Sequence, residues 1–175
     1  MPWSRCWRKS HRQLSHETQQ SLEKDGYRAL LFTDQVRLQS RRGSLIQARF
    51  PELVRAAAEL PDGLVLDGEL VVWAGERMSF EALQRRAAAG RRSAARLAEE
   101  LPAHLIVFDV LQLDGEELLH AAYAERRARL EQLFADHDLR APWTLPRDGR
   151  PGDGAGMAHV LDRGPRSGRA RHPRH

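Results

Sequence analysis

The chain alternates between apolar and polar segments from Tyr27 to Leu145, and this pattern predicts an α+β domain. Strands are predicted where apolar residues run together or alternate with polar ones: 27–33, 36–40, 64–73 and 104–113. Helices are predicted where apolar residues recur on one side: 50–60, 79–89, 93–101 and 123–134. Asp34-Gln35 predicts a tight turn, so the first two strands should form a hairpin.

The two ends of the chain differ from this central part. Residues 1–21 are polar with no sustained apolar period, which predicts a poorly ordered arm. Residues 146–175 contain 6 Gly, 4 Pro and 7 Arg, again without an apolar period, which predicts a disordered basic tail. The expected organisation is an arm at 1–21, one domain at 22–145 and a tail at 146–175.

Composition narrows the class of protein. A chain of 175 residues with 41% hydrophobic and 30% charged residues fits one globular domain. No apolar run approaches the roughly 20 residues that span a bilayer. A single cysteine, Cys6, excludes an internal disulfide, and with no signal peptide the cytoplasm is the expected compartment. The net charge of +4 suits a polyanionic partner, although arginine excess also follows from GC-rich codon usage.

The first candidate for chemistry is the segment Lys24–Arg28, with the sequence Lys-Asp-Gly-Tyr-Arg. It places an amine, a carboxylate, a permissive glycine and a guanidinium at the entrance to a strand. Lysine occurs elsewhere only at Lys9, so an amine nucleophile has two candidates. The alternative interpretation is a polar loop ahead of a hairpin.

Two further segments support a site near Arg28. Asp67-Gly68-Glu69 interrupts an apolar strand, and its two carboxylates share one face because they are two residues apart. Buried acids require a cation or a ligand hydroxyl. Arg41 and Arg42 follow the second strand and return to the end of the sheet where Arg28 begins. The alternatives are a solvated hairpin end for the arginines and a β-bulge at a sheet edge for Asp67–Glu69.

Taken in order, these motifs resemble a known family. The motifs are Lys-Asp-Gly-Tyr-Arg, Ser-Arg-Arg-Gly, Leu-Asp-Gly-Glu-Leu-Val, Ser-Phe-Glu-Ala-Leu-Gln-Arg-Arg and Phe-Asp-Val-Leu-Gln-Leu-Asp-Gly. Over residues 22–145 they are similar to the adenylation domain of bacterial ATP-dependent DNA ligases. The resemblance implies an α+β, ATP-grasp-like nucleotidyltransferase fold, with antiparallel sheets flanked by helices and ATP between the sheets.

The resemblance also implies a reaction. A lysine amine attacks the α-phosphate of ATP in the presence of Mg²⁺, and the AMP then passes to a 5′-phosphate in nicked DNA so that the nick is sealed, as in DNA repair and recombination. Lys24 would be the nucleophile, Arg28 and Arg41 would contact the nucleotide, and Glu69 would bind ribose or metal. Phe108 would stack on adenine; the alternative is a core aromatic.

Two departures from the family pattern leave alternatives open. The family motif is Lys-x-Asp-Gly-x-Arg, whereas Lys24 directly precedes Asp25. If Asp25 to Arg28 keep the family register, Glu23 occupies the nucleophile position in the nucleotide site; a local bulge would restore Lys24. The later family motifs do not follow Leu145, so the domain is expected to be incomplete at its C-terminus. A shifted reading frame near Gly156 is one hypothesis, which the gene sequence would test.

The sequence is therefore consistent with three functions. The first is an ATP-dependent DNA ligase, expected as an incomplete piece whose activity is left open and whose partner is nicked DNA. The second is a non-catalytic remnant that binds nucleic acid through its arginines. The third is a related RNA ligase or capping nucleotidyltransferase.

Overall fold

The computed structural model describes residues 27–146, which form one seven-stranded sheet and four α-helices. The strands are β1 Tyr27–Phe32, β2 Arg37–Ser40, β3 Val65–Ala74, β4 Arg77–Met78, β5 Ala103–Leu113, β6 Glu116–Glu117 and β7 Trp143–Thr144. The α-helices are α1 Pro51–Ala57, α2 Phe80–Ala87, α3 Arg91–Glu100 and α4 Tyr123–Asp136, and a 3₁₀ helix spans Gln47–Arg49. Among these helices, none is long and apolar enough to cross a membrane. The predicted arm at 1–21 and nearly all of the tail at 146–175 lie outside the described residues.

The elements predicted from the apolar pattern are confirmed, with small shifts at their ends. The largest shift is at α1, predicted to end at residue 60 and found to end at Ala57. Val36 was expected to begin the second strand but has φ 35°, and its amide donates to the Thr33 carbonyl at 3.2 Å. The turn is therefore longer than Asp34-Gln35. The short strands β4, β6 and β7 were not predicted, because two-residue strands carry too few residues to show a period.

The order of the strands puts the candidate carboxylates in the middle of the sheet. The order is β2-β1-β3-β5-β6 with antiparallel neighbours, while β4 pairs with β3 and β7 runs parallel to β5. β3 therefore lies between β1 and β5 over residues 65–70. The register of β3 and β5 shifts between Asp67 and Gly68, so a β-bulge does lie at this segment, but the predicted sheet edge is wrong, since β3 is paired on both sides there.

The central strands divide their side chains between two faces. On the face that we call the helix face, residues from β1, β3 and β5 pack with the helices in the main core. They include Ala29, Leu31, Leu66, Leu70, Leu105 and Val107, which pack with Leu53, Leu83 and Leu130. The alternate residues lie on the opposite face, in two smaller apolar clusters: Leu30, Phe32, Val65 and Leu111, and Val71, Ile106 and Phe108. Asp67 and Glu69 belong to the opposite face because they alternate with Leu66 and Leu70.

A buried arginine ties the helices to the sheet. Arg86 in α2 is fully buried, and its Nη1 donates to the Ala94 carbonyl of α3 at 2.9 Å. Its Nη2 donates to Glu52 Oε1 of α1 at 2.5 Å, and the same oxygen accepts from the Ala103 amide of β5 at 3.0 Å. The guanidinium also lies 5.2 Å from the centre of the Phe50 ring. Three helices and the start of β5 are thereby held in one arrangement.

Gly68 is required by the close approach of two strands. A Cβ atom at this position would lie 2.4 Å from the Ile106 carbonyl oxygen and 3.0 Å from Leu105 Cγ. The first of these contacts is with backbone of β5, which cannot move without breaking the pairing of β3 and β5. Glycine between Asp67 and Glu69 thus allows β5 to approach the strand that carries both acids.

We expect Gly68→Ala to lower the free energy of unfolding by about 1–3 kcal/mol, because the added methyl overpacks the β3–β5 contact. Urea denaturation followed by circular dichroism measures the loss. Gly90→Ala is the matched control: Gly90 has φ −76°, and a methyl added there would have no atom within 4 Å. Because Gly90 is the N-cap residue of α3, where alanine is less favourable than glycine, that variant should lower stability by less than about 1 kcal/mol. Equal losses in the two variants would contradict the steric explanation.

Candidate active site

Arg28 and Asp67 form a two-point ion pair between β1 and β3. Arg28 is paired in register with Glu69 and reaches diagonally to Asp67, donating from Nε to Oδ1 at 2.8 Å and from Nη2 to Oδ2 at 2.5 Å. The Asp67 side chain is fully buried and that of Arg28 is 12% exposed. Burial acts to lower the pKa of Arg28, but the charge of Asp67 and its hydrogen bonds outweigh it, so the pKa is raised. Arg28 is held as a cation in a fixed direction.

A second ion pair of the same type lies on the next strand. Arg126 in α4 donates from Nε to both oxygens of Asp109, at 2.9 and 3.1 Å, and from Nη2 to Oδ2 at 2.7 Å. Both side chains are nearly fully buried. Asp109 lies opposite Asp67 in the β3–β5 register. Burial raises the pKa of Asp109, Arg126 opposes that rise, and the nearby charge of Asp67 adds to it.

Glu69 lies beside the first ion pair on the same face. It is 6% exposed and sits between Arg28 on β1 and Ile106 on β5. Its charge is one of the influences that raise the pKa of Arg28. Within residues 27–146, His, Cys, Asp and Glu side chains form no group of three or more that could hold a metal ion. The described residues therefore place an acid next to Arg28 without building a metal site from protein ligands alone.

Phe108 belongs to the apolar cluster on the opposite face. It is 2% exposed and packs with Val71 and Ile106, with the partly buried Trp73 against them. The β3–β5 register pairs Gly68 with Val107 and Asp67 with Asp109, so Phe108 is the extra residue of a β-bulge. Its burial agrees with the alternative of a core aromatic, and stacking on adenine stays a prediction.

Of the remaining predicted residues, Arg41 lies at the end of the sheet that carries Arg28. Ser40, the last residue of β2, pairs with Ala29, so the chain brings Arg41 to this end as expected. The Arg41 side chain is exposed. Glu23 and Lys24, with Asp25 and Gly26, lie outside the described residues, and their roles stay predictions.

The pair Asp109 and Arg126 was not predicted from the sequence. The signal was available in two places. Asp109 interrupts an apolar strand in the same way as Asp67, and Arg126 falls on the apolar side of α4 with Leu130 and Phe134. A buried acid and an arginine on an apolar helix face each need a partner of opposite charge.

Comparison with known proteins identifies the family. A family model described as an ATP dependent DNA ligase domain matches residues 8–144. This chain belongs to that family. The match begins upstream of residue 22, where the sequence analysis placed the start of the domain; that boundary stays a prediction. This ligase domain is 41% identical over 148 residues to DNA ligase C2 of Mycolicibacterium smegmatis, and 39% identical over 122 residues to DNA ligase C of Mycobacterium tuberculosis.

Solved structures agree with the fold of this ligase domain. It is similar to the ligase domain of Mycobacterium tuberculosis LigD, with 36% identity and a TM-score of 0.54, and to a mycobacterial DNA ligase D complexed with ATP and MES, with 37% identity and a TM-score of 0.55. The matches cover 70% of this chain and 36% and 37% of those chains. The predicted α+β nucleotidyltransferase fold is confirmed. Against the two curated relatives, the match covers 78% and 66% of this chain but only 42% and 34% of theirs.

We expect Asp67→Asn to lower the free energy of unfolding of the ligase domain by roughly 3–5 kcal/mol, because it leaves the largely buried Arg28 without its carboxylate. Glu100→Gln is the control, since Glu100 pairs with Arg96 on an exposed helix surface. Its effect should stay below about 1 kcal/mol. Chemical denaturation at neutral pH measures both. A small loss in Asp67→Asn would mean that Arg28 finds an equivalent partner.

Proposed function

We propose that this chain is the nucleotide-binding part of the adenylation domain of an ATP-dependent DNA ligase. The observation that carries the proposal is the arrangement of Arg28, Glu69 and Phe108 on the opposite face of adjacent strands. Arg28 of β1 lies opposite Glu69 of β3 in the strand register, and Glu69 lies opposite Ile106 of β5. Ile106 in turn packs with Phe108. A cation, an acid and an aromatic ring in this order suit the phosphate, sugar and base of one nucleotide.

The chemistry of adenylyl transfer explains why these groups are useful. An amine nitrogen attacks the α-phosphorus of ATP, a nitrogen–phosphorus bond forms and pyrophosphate leaves. Charge spreads over phosphate oxygens in such a displacement, so catalysis depends on positioning and on neutralising that charge. Arg28 supplies a cation whose direction is already fixed by Asp67, and Arg41 is a second cation at the same end of the sheet.

We propose that Mg²⁺ binds mainly to the phosphates of the nucleotide. When bound, this ion neutralises phosphate oxygens, and it commonly keeps several waters and takes only one or two protein carboxylates. Glu69 is the protein ligand that we propose, or alternatively the group that accepts from the ribose hydroxyls. Asp67 and Asp109 are each bound by an arginine, so we do not propose them as metal ligands.

The nucleophile is proposed from the sequence alone, and two registers compete for it. In one, a local bulge brings Lys24 to the reactive position ahead of Arg28. In the other, Glu23 stands at that position, and the chain binds ATP without forming a covalent adduct. A nucleophilic lysine must also lose its proton, which burial or neighbouring cations favour by lowering its pKa.

Nicked DNA is the proposed substrate, supported by the relatives, which are named as DNA ligases. The cytoplasm stays the proposed compartment because of the single cysteine. The same relatives favour a DNA ligase over an RNA ligase or capping enzyme. The net charge of +4 favours a second candidate function, binding of nucleic acid without catalysis. That activity would weaken steeply with added salt and would not depend on ATP.

The test of the reaction is incubation of the chain with ATP labelled at its α-phosphate in the presence of Mg²⁺. We expect a covalent, acid-labile AMP adduct that disappears completely in Lys24→Ala. Lys9→Ala is the matched control, because Lys9 is the only other lysine, and it should keep the adduct. An adduct that survives Lys24→Ala would show that the label is on another group.

The same assay separates the two registers. If Glu23 holds the nucleophile position, the unmodified chain gives no adduct, and Glu23→Lys is expected to create one. If neither the unmodified chain nor Glu23→Lys forms an adduct, and neither binds ATP, the nucleotide-binding proposal is wrong. Salt-sensitive DNA binding that is indifferent to ATP would then support the non-catalytic function.

A further inference from the structure

The bulge at Phe108 is held in place from outside the sheet. In the register, Val107 and Asp109 pair with successive residues of β3, so Phe108 is left over between them. A bulge of this kind changes the direction of the extra side chain and is tolerated where something fixes it. The residue immediately after Phe108 is Asp109, whose carboxylate is bound by Arg126 through three hydrogen bonds.

Contacts other than the one with Asp109 also fix the orientation of Arg126. Its Nη1 donates to the Ala121 carbonyl, in the loop before α4, at 2.8 Å. Its guanidinium carbon lies 5.9 Å from the centre of the Tyr123 ring. The planar fork is thus held by a carbonyl, a ring and a carboxylate, and it has little freedom to rotate. These contacts connect the start of α4 rigidly to Phe108 and Asp109 of β5.

The second ion pair also keeps the first one intact. Asp109 lies opposite Asp67, and the charge of Asp109 contributes to the environment of Arg28. If Arg126 did not bind Asp109, two buried carboxylates would compete for Arg28. Because each acid has its own guanidinium, Arg28 remains on Asp67 beside Glu69.

We propose that Asp109 and Arg126 are positioning residues for the base of the bound nucleotide: their two-point ion pair sets the β5 bulge and thereby the orientation of Phe108. This inference rests on the proposed function, because it takes Phe108 as the surface against which adenine stacks. It adds residues that touch no part of the nucleotide and act through the backbone of β5.

The test uses Arg126→Lys in the full chain, which keeps the positive charge but replaces the planar fork with a single point contact. Arg129→Lys is the matched control, with the same substitution in the same helix at a partly exposed arginine. Calorimetry in the presence of Mg²⁺ measures binding of α,β-methylene-ATP, which cannot transfer its adenylyl group, and of tripolyphosphate, which lacks the base. Hydrogen exchange of peptides from β5 measures the state of the bulge directly.

We expect Arg126→Lys to weaken binding of the ATP analogue by about tenfold, within the range that stacking of a base on an aromatic ring contributes. Binding of tripolyphosphate should stay within about twofold of the unmodified chain, because Arg126→Lys keeps the positive charge that neutralises Asp109, so Arg28 remains on Asp67. Exchange should accelerate around Phe108, and Arg129→Lys should match the unmodified chain in every measurement.

Combination with Phe108→Leu tests whether the effect passes through Phe108. If it does, the variant carrying both Arg126→Lys and Phe108→Leu binds the ATP analogue as weakly as Phe108→Leu alone. If Arg126→Lys does not fold, the neutral pair Asp109→Asn with Arg126→Gln replaces it. That pair buries no uncompensated charge, lacks the same fork, and carries the same expectation.

The outcomes separate this inference from the proposed function. If the unmodified chain binds the ATP analogue but Arg126→Lys binds it equally well, or if the two substitutions have independent effects, the positioning role is overturned and the proposed function stands. Equal loss of ATP analogue and tripolyphosphate binding would also overturn it, because a general structural defect would be the cause. If the unmodified chain does not bind the ATP analogue, the proposed function and this inference both fall.

Discussion

Asp67 and Asp109 are two buried acids that lie opposite each other on neighbouring strands, and the rest of the site depends on neutralising both. Removing a carboxylate from water costs several kcal/mol unless a well-oriented cation replaces the lost hydration. Arg28 from β1 and Arg126 from α4 provide those cations with two-point geometry. Asp67 obtains its cation when β1 pairs with β3, and Asp109 obtains its cation when α4 packs on β5. Because the two acids lie opposite each other, the charges couple the assembly of these four elements.

The close packing of β3 and β5 follows from the same arrangement. Gly68 lets the β5 backbone approach between the two acids of β3, and the bulge at Phe108 absorbs the extra residue that the pairing of Asp67 with Asp109 leaves behind. A second register shift follows between Val65 and Leu66. β5 therefore contributes more residues than β3 to the paired segment. Extra residues on one of two paired strands bend the sheet.

Much of the fold could be predicted from the sequence because its main elements are long enough to show their periods. The two longest strands and the four helices lie close to where the apolar pattern placed them. That Asp67 and Glu69 share one face of β3 followed from alternation alone. Asp109 and Arg126 each carried the signal of a charge among apolar neighbours, but alternation alone did not show that they bind each other. The bulge at Phe108 changes the phase of alternation within β5, so counting by twos from Ala103 assigns residues 109–111 to the wrong face until the second register shift restores the phase. Contact between β5 and α4 also depends on tertiary packing that local periodicity does not encode.

The candidate site was predicted in part for a related reason. Arg28, Glu69 and Phe108 came from the resemblance, and the structure brings them to one face, although their roles are still proposals. What the motifs did not indicate is the support behind them: Asp67 as the partner of Arg28, and Arg126 as the partner of Asp109. Such partners are far apart in sequence, by 39 and 17 residues, so only the assembled sheet shows that they meet.

The helix layer is organised around its own buried cation, and this has a consequence for how the domain can change over time. Arg86 binds Glu52 and the Ala94 carbonyl on the helix face, without contact to the ion pairs on the other side of the sheet among the interactions described. The sheet lies between the two sets of charges, and α4 joins them, since its Leu130 packs in the main core while its Arg126 binds Asp109. Substitutions in the buried ion pairs would cost folding stability, whereas substitutions at exposed positions such as Arg41 would leave the helix layer intact. A lineage could therefore alter its chemistry at exposed positions while keeping a folded domain.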